Sequence, residues 1–216
     1  MIINGRDKAR LDGAAEALRS SAPGGRVVPL AADVSEYGEV ERLFAEAERL
    51  TGGVDALINN AGVSHFGLFQ DMKPEEWEDL TAVNLFGVFN CVRAALPCML
   101  KKGKGCVINV SSVWGGRGAS CEAVYAASKD GVNAFTRSLA KELGPAGIRV
   151  NAISCGFIET GMNARLTEDE RRAFLENVPL GRAGRPEEVA ELALFLASGK
   201  ADYINGQILT IDGGMW

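Results

Sequence analysis

Short apolar runs alternate with longer amphipathic stretches along the whole chain, and the two periods predict its elements. Met1–Asn4, Val27–Ala31, Ala56–Asn59, Val107–Val110, Val150–Ile153 and Ile208–Ile211 read as strands. Between them, apolar residues three and four apart predict helices. Asp7–Ser20 carries Leu11, Ala14, Ala15 and Leu18 on one face, and Tyr37–Thr51 carries Val40, Leu43, Phe44 and Ala47. A long helix runs from Glu75 to Leu100, with Pro97 near its end. Glu122–Leu143 stops at Gly144-Pro145, and Glu168–Asn177 and Pro186–Ala197 complete the set. Pro23-Gly24-Gly25 marks a turn, and Asp212-Gly213-Gly214 closes the last strand. Strand–helix alternation of this kind predicts an α/β fold, a parallel sheet with helices on both faces. The apolar character of Val107–Val110 suits burial on both sides.

In such sheets ligands sit beyond the carboxyl ends of the strands. That rule selects three loops: Asn60-Ala61-Gly62, Ser111-Ser112 and Gly156-Phe157-Ile158-Glu159-Thr160. Each follows a different strand and each is polar or glycine-rich, so together they mark one edge as the site.

Composition narrows the partners. With 216 residues the chain suits a single domain, residues 1–216, large enough to bury a core. The net charge is -5, with acids and bases mixed and no basic stripe, which argues against nucleic acid. No apolar run approaches the roughly 20 residues that span a bilayer, so no membrane partner is expected. Met1-Ile2-Ile3-Asn4-Gly5-Arg6 has no features of a secretory signal. Cys91, Cys98, Cys106, Cys121 and Cys155 form no C-x-x-C pair and read as the thiols of a cytoplasmic protein. His65 is the single histidine, which argues against a zinc site or a Ser-His-Asp triad; no metal is expected.

Tyr125 and Lys129 are four apart on a helix and share a face. An ammonium beside a phenol favours the phenolate and lowers its pKa, which would make Tyr125 a general acid or base. Alone, such a pair is commonplace, with the tyrosine in the core and the lysine in water. Ser112, at a strand end before it, could hydrogen-bond a substrate carbonyl, or simply serve as a turn serine. Asn84, inside the long helix, is either a tolerated surface residue or an amide that holds a water in a proton path to Lys129.

Taken together, Asp33-Val34, Asn59-Asn60-Ala61-Gly62, Asn84, Ser112, Tyr125-x-x-x-Lys129 and Asp212-Gly213-Gly214 resemble, in order and spacing, the short-chain dehydrogenase/reductase family over nearly the whole chain. The resemblance implies a Rossmann-like doubly wound sheet and a catalytic tetrad of Asn84, Ser112, Tyr125 and Lys129. Tyr125 would protonate a carbonyl oxygen as hydride arrives from a nicotinamide, and Ser112 would orient that carbonyl. Lys129 would hold the nicotinamide ribose and lower the Tyr125 pKa, and Asn84 would support a relay water. It further implies Asp33 and Val34 near the adenine, Asn60, Ala61 and Gly62 near the adenosine ribose, and Ile158 and Thr160 at the carboxamide. Arg6, a basic residue after the first strand, favours NADP(H) over NAD(H), although Asp7 is adjacent.

The general pattern resembles 3-oxoacyl-acyl-carrier-protein reductases, which implies a carrier-bound ketone, fatty acid biosynthesis and a cytoplasmic homo-oligomer, dimer or tetramer. Helices around Glu75–Leu100 and Glu122–Leu143 would form the dimer face. Val113-Trp114-Gly115 and Gly118-Ala119-Ser120-Cys121-Glu122 look closer to elongation factor P 5-aminopentanone reductases, which act on a protein-bound aminoketone. In that case Glu122 could meet a cationic amine; otherwise it is an acid at a helix N-terminus.

Two departures from the family pattern stand out. Cys155 occupies a position where the family usually has proline, which would loosen a loop beside the nicotinamide and leave a buried, inert thiol. The family's first strand, Gly-rich turn and first helix have no counterpart, and no other segment replaces that phosphate-binding turn. In the strand order 3-2-1-4-5-6 the first strand is central, so its loss separates strands 2 and 3 from the rest. Three outcomes follow: the edges close on each other, Met1–Ala31 packs poorly, or the chain begins upstream of Met1. The alternative to an active reductase is a non-catalytic subunit with little cofactor binding.

Overall fold

The computed structural model describes every residue except Pro23, Ala164 and Arg165. In chain order the elements are β1 (Ile2–Gly5), α1 (Lys8–Ser21), β2 (Val28–Ala31), α2 (Tyr37–Thr51), β3 (Ala56–Asn59), α3 (Pro74–Thr81), α4 (Gly87–Lys102), β4 (Gly105–Ser112), α5 (Trp114–Arg117), α6 (Ala123–Leu143), β5 (Ile148–Cys155), α7 (Glu168–Glu176), α8 (Pro186–Ala197) and β6 (Ile208–Ile211). All strand pairs are parallel. The expected α/β architecture is what forms.

The core lies on both faces of the β4–β5 pair. Val107, Ile148 and Val150 point to one side and pack with Val92, Ala95 and Met99 of α4 and Val132 of α6. Cys106, Ile108 and Ile153 point to the other side, under Ala193 and Leu196 of α8. The strand alternation therefore delivers one residue to each layer in turn.

The sheet is divided. β1 and β2 form one unit, and β3-β4-β5-β6 form another. The separation expected from strand order is present, and the edges do not close on each other. Within Met1–Ala31 most of the described residues are exposed or half-buried, so the segment packs thinly, as one of the expected outcomes had it. Leu11 and Ala15 of α1 are buried, and Arg19 donates to the Val27 carbonyl at 2.7 Å. Asn90 of α4 donates to the Val34 carbonyl at 2.9 Å and ties the small unit to the large one. The division leaves its mark on β3, where Ile58 is 48% exposed, an unusual state for a strand of a parallel sheet.

Three expectations need correction. Ser111 and Ser112 do not follow their strand; they are its last two residues, because β4 and β5 pair over eight positions rather than four. The long helix is not continuous α-helix: Ala82–Phe86 forms a π-turn between α3 and α4. Such turns insert one residue into the ladder and are frequent at functional sites. The same helical run, Pro74–Lys102, is by length and composition apolar enough to cross a bilayer. Here Val88, Val92, Ala95 and Met99 of that run lie in the core. The turn expected at Pro23-Gly24-Gly25 lies partly outside the described residues; Gly24 has φ 88°.

Candidate active site

β4 ends at Ser112 and β5 at Cys155, and the two residues are register partners. α6 crosses this edge and buries Tyr125 and Lys129. The Ser112 hydroxyl lies near enough to the Tyr125 phenol to pull its pKa down by hydrogen bonding. It also accepts the Trp114 N–H at 3.3 Å. Lys129 Nζ donates to the Val110 carbonyl at 2.9 Å and lies 5.7 Å from the Tyr125 ring centre. Ser111 Oγ donates to the Lys129 carbonyl at 3.2 Å, which fixes the helix on the strand.

Asn84 is fully buried, so it is not a surface residue. Its Oδ1 accepts the Val63 N–H at 2.8 Å, and its Nδ2 donates to the Val63 carbonyl at 2.9 Å and to Ser128 Oγ at 3.3 Å. The π-turn is what aims this side chain at the turn after β3. Gly62 lies against both groups: a Cβ there would sit 3.4 Å from Asn84 Oδ1 and 3.5 Å from Lys129 Nζ. Ser112, Tyr125, Lys129, Asn84 and Gly62 thus come together from four separate parts of the chain.

Burial sets the electrostatics. It pushes the Tyr125 phenol up to about 12; the Ser112 hydrogen bond opposes this, and the charges of Glu122 and Cys155 add to it. Burial also brings Lys129 down to about 8. The phenol is thus raised and not lowered: removal from water is the largest influence on it, and Lys129 is not among the groups that shift it. Burial likewise raises the Cys155 thiol to about 11, against the pull of Lys129.

The Lys129 shift predicts a pH effect. The folded pKa lies below the ordinary 10.5, so between about 8 and 10.5 the unfolded chain holds more protons than the folded one. Folding stability gains with rising pH across that window and pays the cost of the buried charge below it. Lys129→Met lacks this term. Urea midpoints of both proteins, taken in steps from about pH 7 to about pH 10, should show wild type gaining on the variant as pH rises. A constant difference would show that Lys129 is not desolvated.

The remaining expected residues are more dispersed. Arg6 follows β1 but pairs with Asp33 at 3.4 Å. Partial burial works to raise the Asp33 carboxyl, yet hydrogen bonds from Ser35 and the Arg6 charge hold it below its ordinary value. Val34 is buried against Gly87. Asn60 and Ala61 are exposed. The Ile158 carbonyl already accepts Asn163 Nδ2 at 2.7 Å, and Thr160 is exposed with its carbonyl taking the Asn163 N–H. A cavity of about 430 Å³ beside that loop is lined by Glu159, Arg171, Arg182 and Arg185.

The sequence reading missed a buried polar relay. Asn59 donates to Asn109 Oδ1 at 2.8 Å, and Asn109 donates to Thr136 Oγ1 at 2.9 Å. Its signal was an asparagine in the middle of an apolar strand, a residue that needs partners when buried. The relay pins β3, β4 and α6 together directly beneath the site.

The family model described as Enoyl-(Acyl carrier protein) reductase matches residues 1–216. The 3-oxoacyl-[acyl-carrier-protein] reductase FabG of Thermotoga maritima is 44% identical over 191 residues, 88% of this chain and 78% of that protein. The chain belongs to the short-chain dehydrogenase/reductase family. As a short-chain dehydrogenase/reductase it is an NAD(P)-dependent oxidoreductase. The FabG reductase of Vibrio cholerae is 43% identical over 187 residues, 87% of this chain and 77% of that protein. Among solved short-chain reductase structures, a gluconate 5-dehydrogenase from Burkholderia cenocepacia J2315 in complex with NADP and tartrate superimposes with a TM-score of 0.93. It is 32% identical, with 99% of this chain and 84% of that one covered.

The residues of this short-chain reductase fit a nicotinamide nucleotide at one end. Buried Lys129 offers an ammonium with one carbonyl partner, and Gly62 leaves space above it that a Cβ would fill. Toward the phosphates the fit is looser, since β1 and β3, the strands flanking the division, are not joined.

Proposed function

We propose that the chain, as one domain, reduces a ketone with NADPH, using Asn84, Ser112, Tyr125 and Lys129. The observation that carries this reading is the convergence of buried Ser112, Tyr125 and Lys129 at one strand end, with Lys129 Nζ 5.7 Å from the Tyr125 ring centre. Lys129 and the turn at Gly62 would hold a nicotinamide nucleotide at this edge, and that group would supply the hydride for the carbonyl carbon. Tyr125 gives its proton to the carbonyl oxygen, a direction favoured by a phenol that burial keeps protonated at neutral pH. Ser112 donates a hydrogen bond to the same oxygen as charge develops there. Lys129 holds ribose hydroxyls and faces the phenolate left behind. Asn84 acts as a positioning residue by clamping Val63.

Arg6, Asp33, Val34, Asn60, Ala61, Gly62, Tyr125, Lys129, Ile158 and Thr160 form the cofactor side. NADP(H) over NAD(H) rests on Arg6, whose exposed pair with Asp33 is weak enough to yield to a phosphate. The relatives named as 3-oxoacyl-acyl-carrier-protein reductases support a carrier-bound 3-oxoacyl substrate; a cytoplasmic enzyme with a part in fatty acid biosynthesis goes with that reading. A homo-oligomer, dimer or tetramer, is supported by exposed Phe86 and Leu100 on the long helical run. A protein-bound aminoketone is the second reading, favoured by the Glu122 charge acting on Tyr125.

Two measurements test this. Titrating NADPH against its own fluorescence should give saturable binding in the micromolar range, and NADPH oxidation should follow on adding an acetoacetyl thioester. Binding without thioester turnover but with aminoketone turnover moves the substrate to the second reading. No binding by the 216-residue chain makes it a non-catalytic subunit.

A further inference from the structure

The substrate side of the site has a feature that neither the tetrad nor the cofactor residues use. Trp114 and Arg117 are the first and last residues of α5, and Trp216 follows the turn after β6. Trp114 packs against the cluster of Met72, Leu80 and Tyr125. The Trp216 ring meets Trp114 edge-on at 5.8 Å. Arg117 lies over the Trp216 ring with Cζ 4.8 Å from its centre. The Trp216 backbone N–H donates to Asp212 Oδ2 at 3.1 Å, which ties the main chain that carries the indole to the turn. The three side chains thus lead outward from the Tyr125 phenol: first indole, second indole, guanidinium.

Arg117 differs from the other arginines near this edge. Arg171 pairs with Glu159, and Arg182 and Arg185 pair with Glu188. Among the described residues Arg117 has no ion pair, and its guanidinium rests on an aromatic face that is 52% exposed. A guanidinium stacked on an indole keeps its edge N–H groups free for an oxyanion.

We propose that Trp114, Trp216 and Arg117 form a specificity subsite for the tail of the substrate: the indoles line the path out from Tyr125, and Arg117 receives an anionic group carried beyond the ketone. The ligand class is a ketone on a phosphate-bearing thioester arm, whether free coenzyme or carrier-borne. This rests on the ketoreductase reading for the position of the ketone. It also opposes a cationic aminoketone, which Arg117 would repel.

The test compares acetoacetyl-coenzyme A with S-acetoacetyl-N-acetylcysteamine, the same ketone and thioester without the phosphates. Binding is read from tryptophan fluorescence and turnover from NADPH oxidation, for wild type, Arg117→Gln, Arg117→Lys and Trp216→Ala. Arg117→Gln should weaken acetoacetyl-coenzyme A about five- to tenfold, in dissociation constant and KM, at unchanged kcat. The uncharged thioester should be unaffected, Arg117→Lys should retain most of the affinity, and added salt should erase the difference. Trp216→Ala should weaken both ligands. Equal loss for both ligands with Arg117→Gln, or no loss for either, overturns the subsite. Wild-type binding with this pattern but no turnover keeps the subsite and removes the reductase reading; turnover without the pattern does the reverse. An acetoacetyl carrier protein, run beside the coenzyme, shows which source of the arm gains more from Arg117.

Discussion

Tyr125→Phe should lower ketone turnover by about 10³-fold while leaving NADPH affinity within a factor of about two, the range expected for loss of a positioned general acid. The substitution removes one oxygen and keeps the ring. Tyr125 is 9% exposed and packs with Met72 and Leu80, so phenylalanine fills the same space. Ser112 Oγ retains the Trp114 N–H as a partner, so the fold loses no more than about 1 kcal/mol. Lys129 keeps its bond to Val110 and its place beside Gly62. Initial rates with an acetoacetyl thioester and a fluorescence titration of NADPH measure the two quantities separately. Turnover that survives the change would assign the proton to another group.

The second large effect is expected at Gly115. This buried glycine of α5 lies against the backbone of α6. A Cβ there would stand 2.8 Å from the Lys129 carbonyl carbon and 2.9 Å from the Asp130 nitrogen. Both are main-chain atoms of a helix and cannot rotate aside, so Gly115→Ala must separate α5 from α6 at the residue that carries the ammonium. Overpacking of this kind costs about 1–3 kcal/mol. Misplacing Lys129 by a fraction of an ångström to an ångström should also cut turnover by about 10- to 100-fold. Gly116→Ala is the control, because outside its own helix and chain neighbours no described atom lies within 4 Å of its Cβ position. Urea unfolding and initial rates on the two variants should differ sharply. Equal behaviour would show that α5 does not brace the site.

Much of the site was legible because its key pairs are local. Tyr125 and Lys129 are one helical turn apart, and periodicity alone places them together. Ser112 was found by the rule that strand ends face the ligand. Arg6 and Asp33 were each expected at the adenosine end, but their pairing with one another was not. Asn84 was marked as odd for a helix interior, yet its partner, the Val63 backbone, appears only once the π-turn forms. Trp216 was not singled out, since nothing near it in sequence suggests Trp114.

The sequence by itself determined the alternation of strands and helices, the edge that carries the candidate site, and the place where the sheet could part; that it does part was decided by the tertiary structure. Each follows from period, from strand order or from spacing along the chain. Tertiary structure decided the charge states and the long-range contacts. Whether Lys129 or water governs the Tyr125 phenol depends on how completely α6, β4 and the turn at Gly62 exclude solvent, and burial wins there. Whether Arg117 faces a carboxylate or an indole depends on where the turn after β6 ends. Those outcomes depend on through-space distance and desolvation, which residues far apart in sequence set jointly.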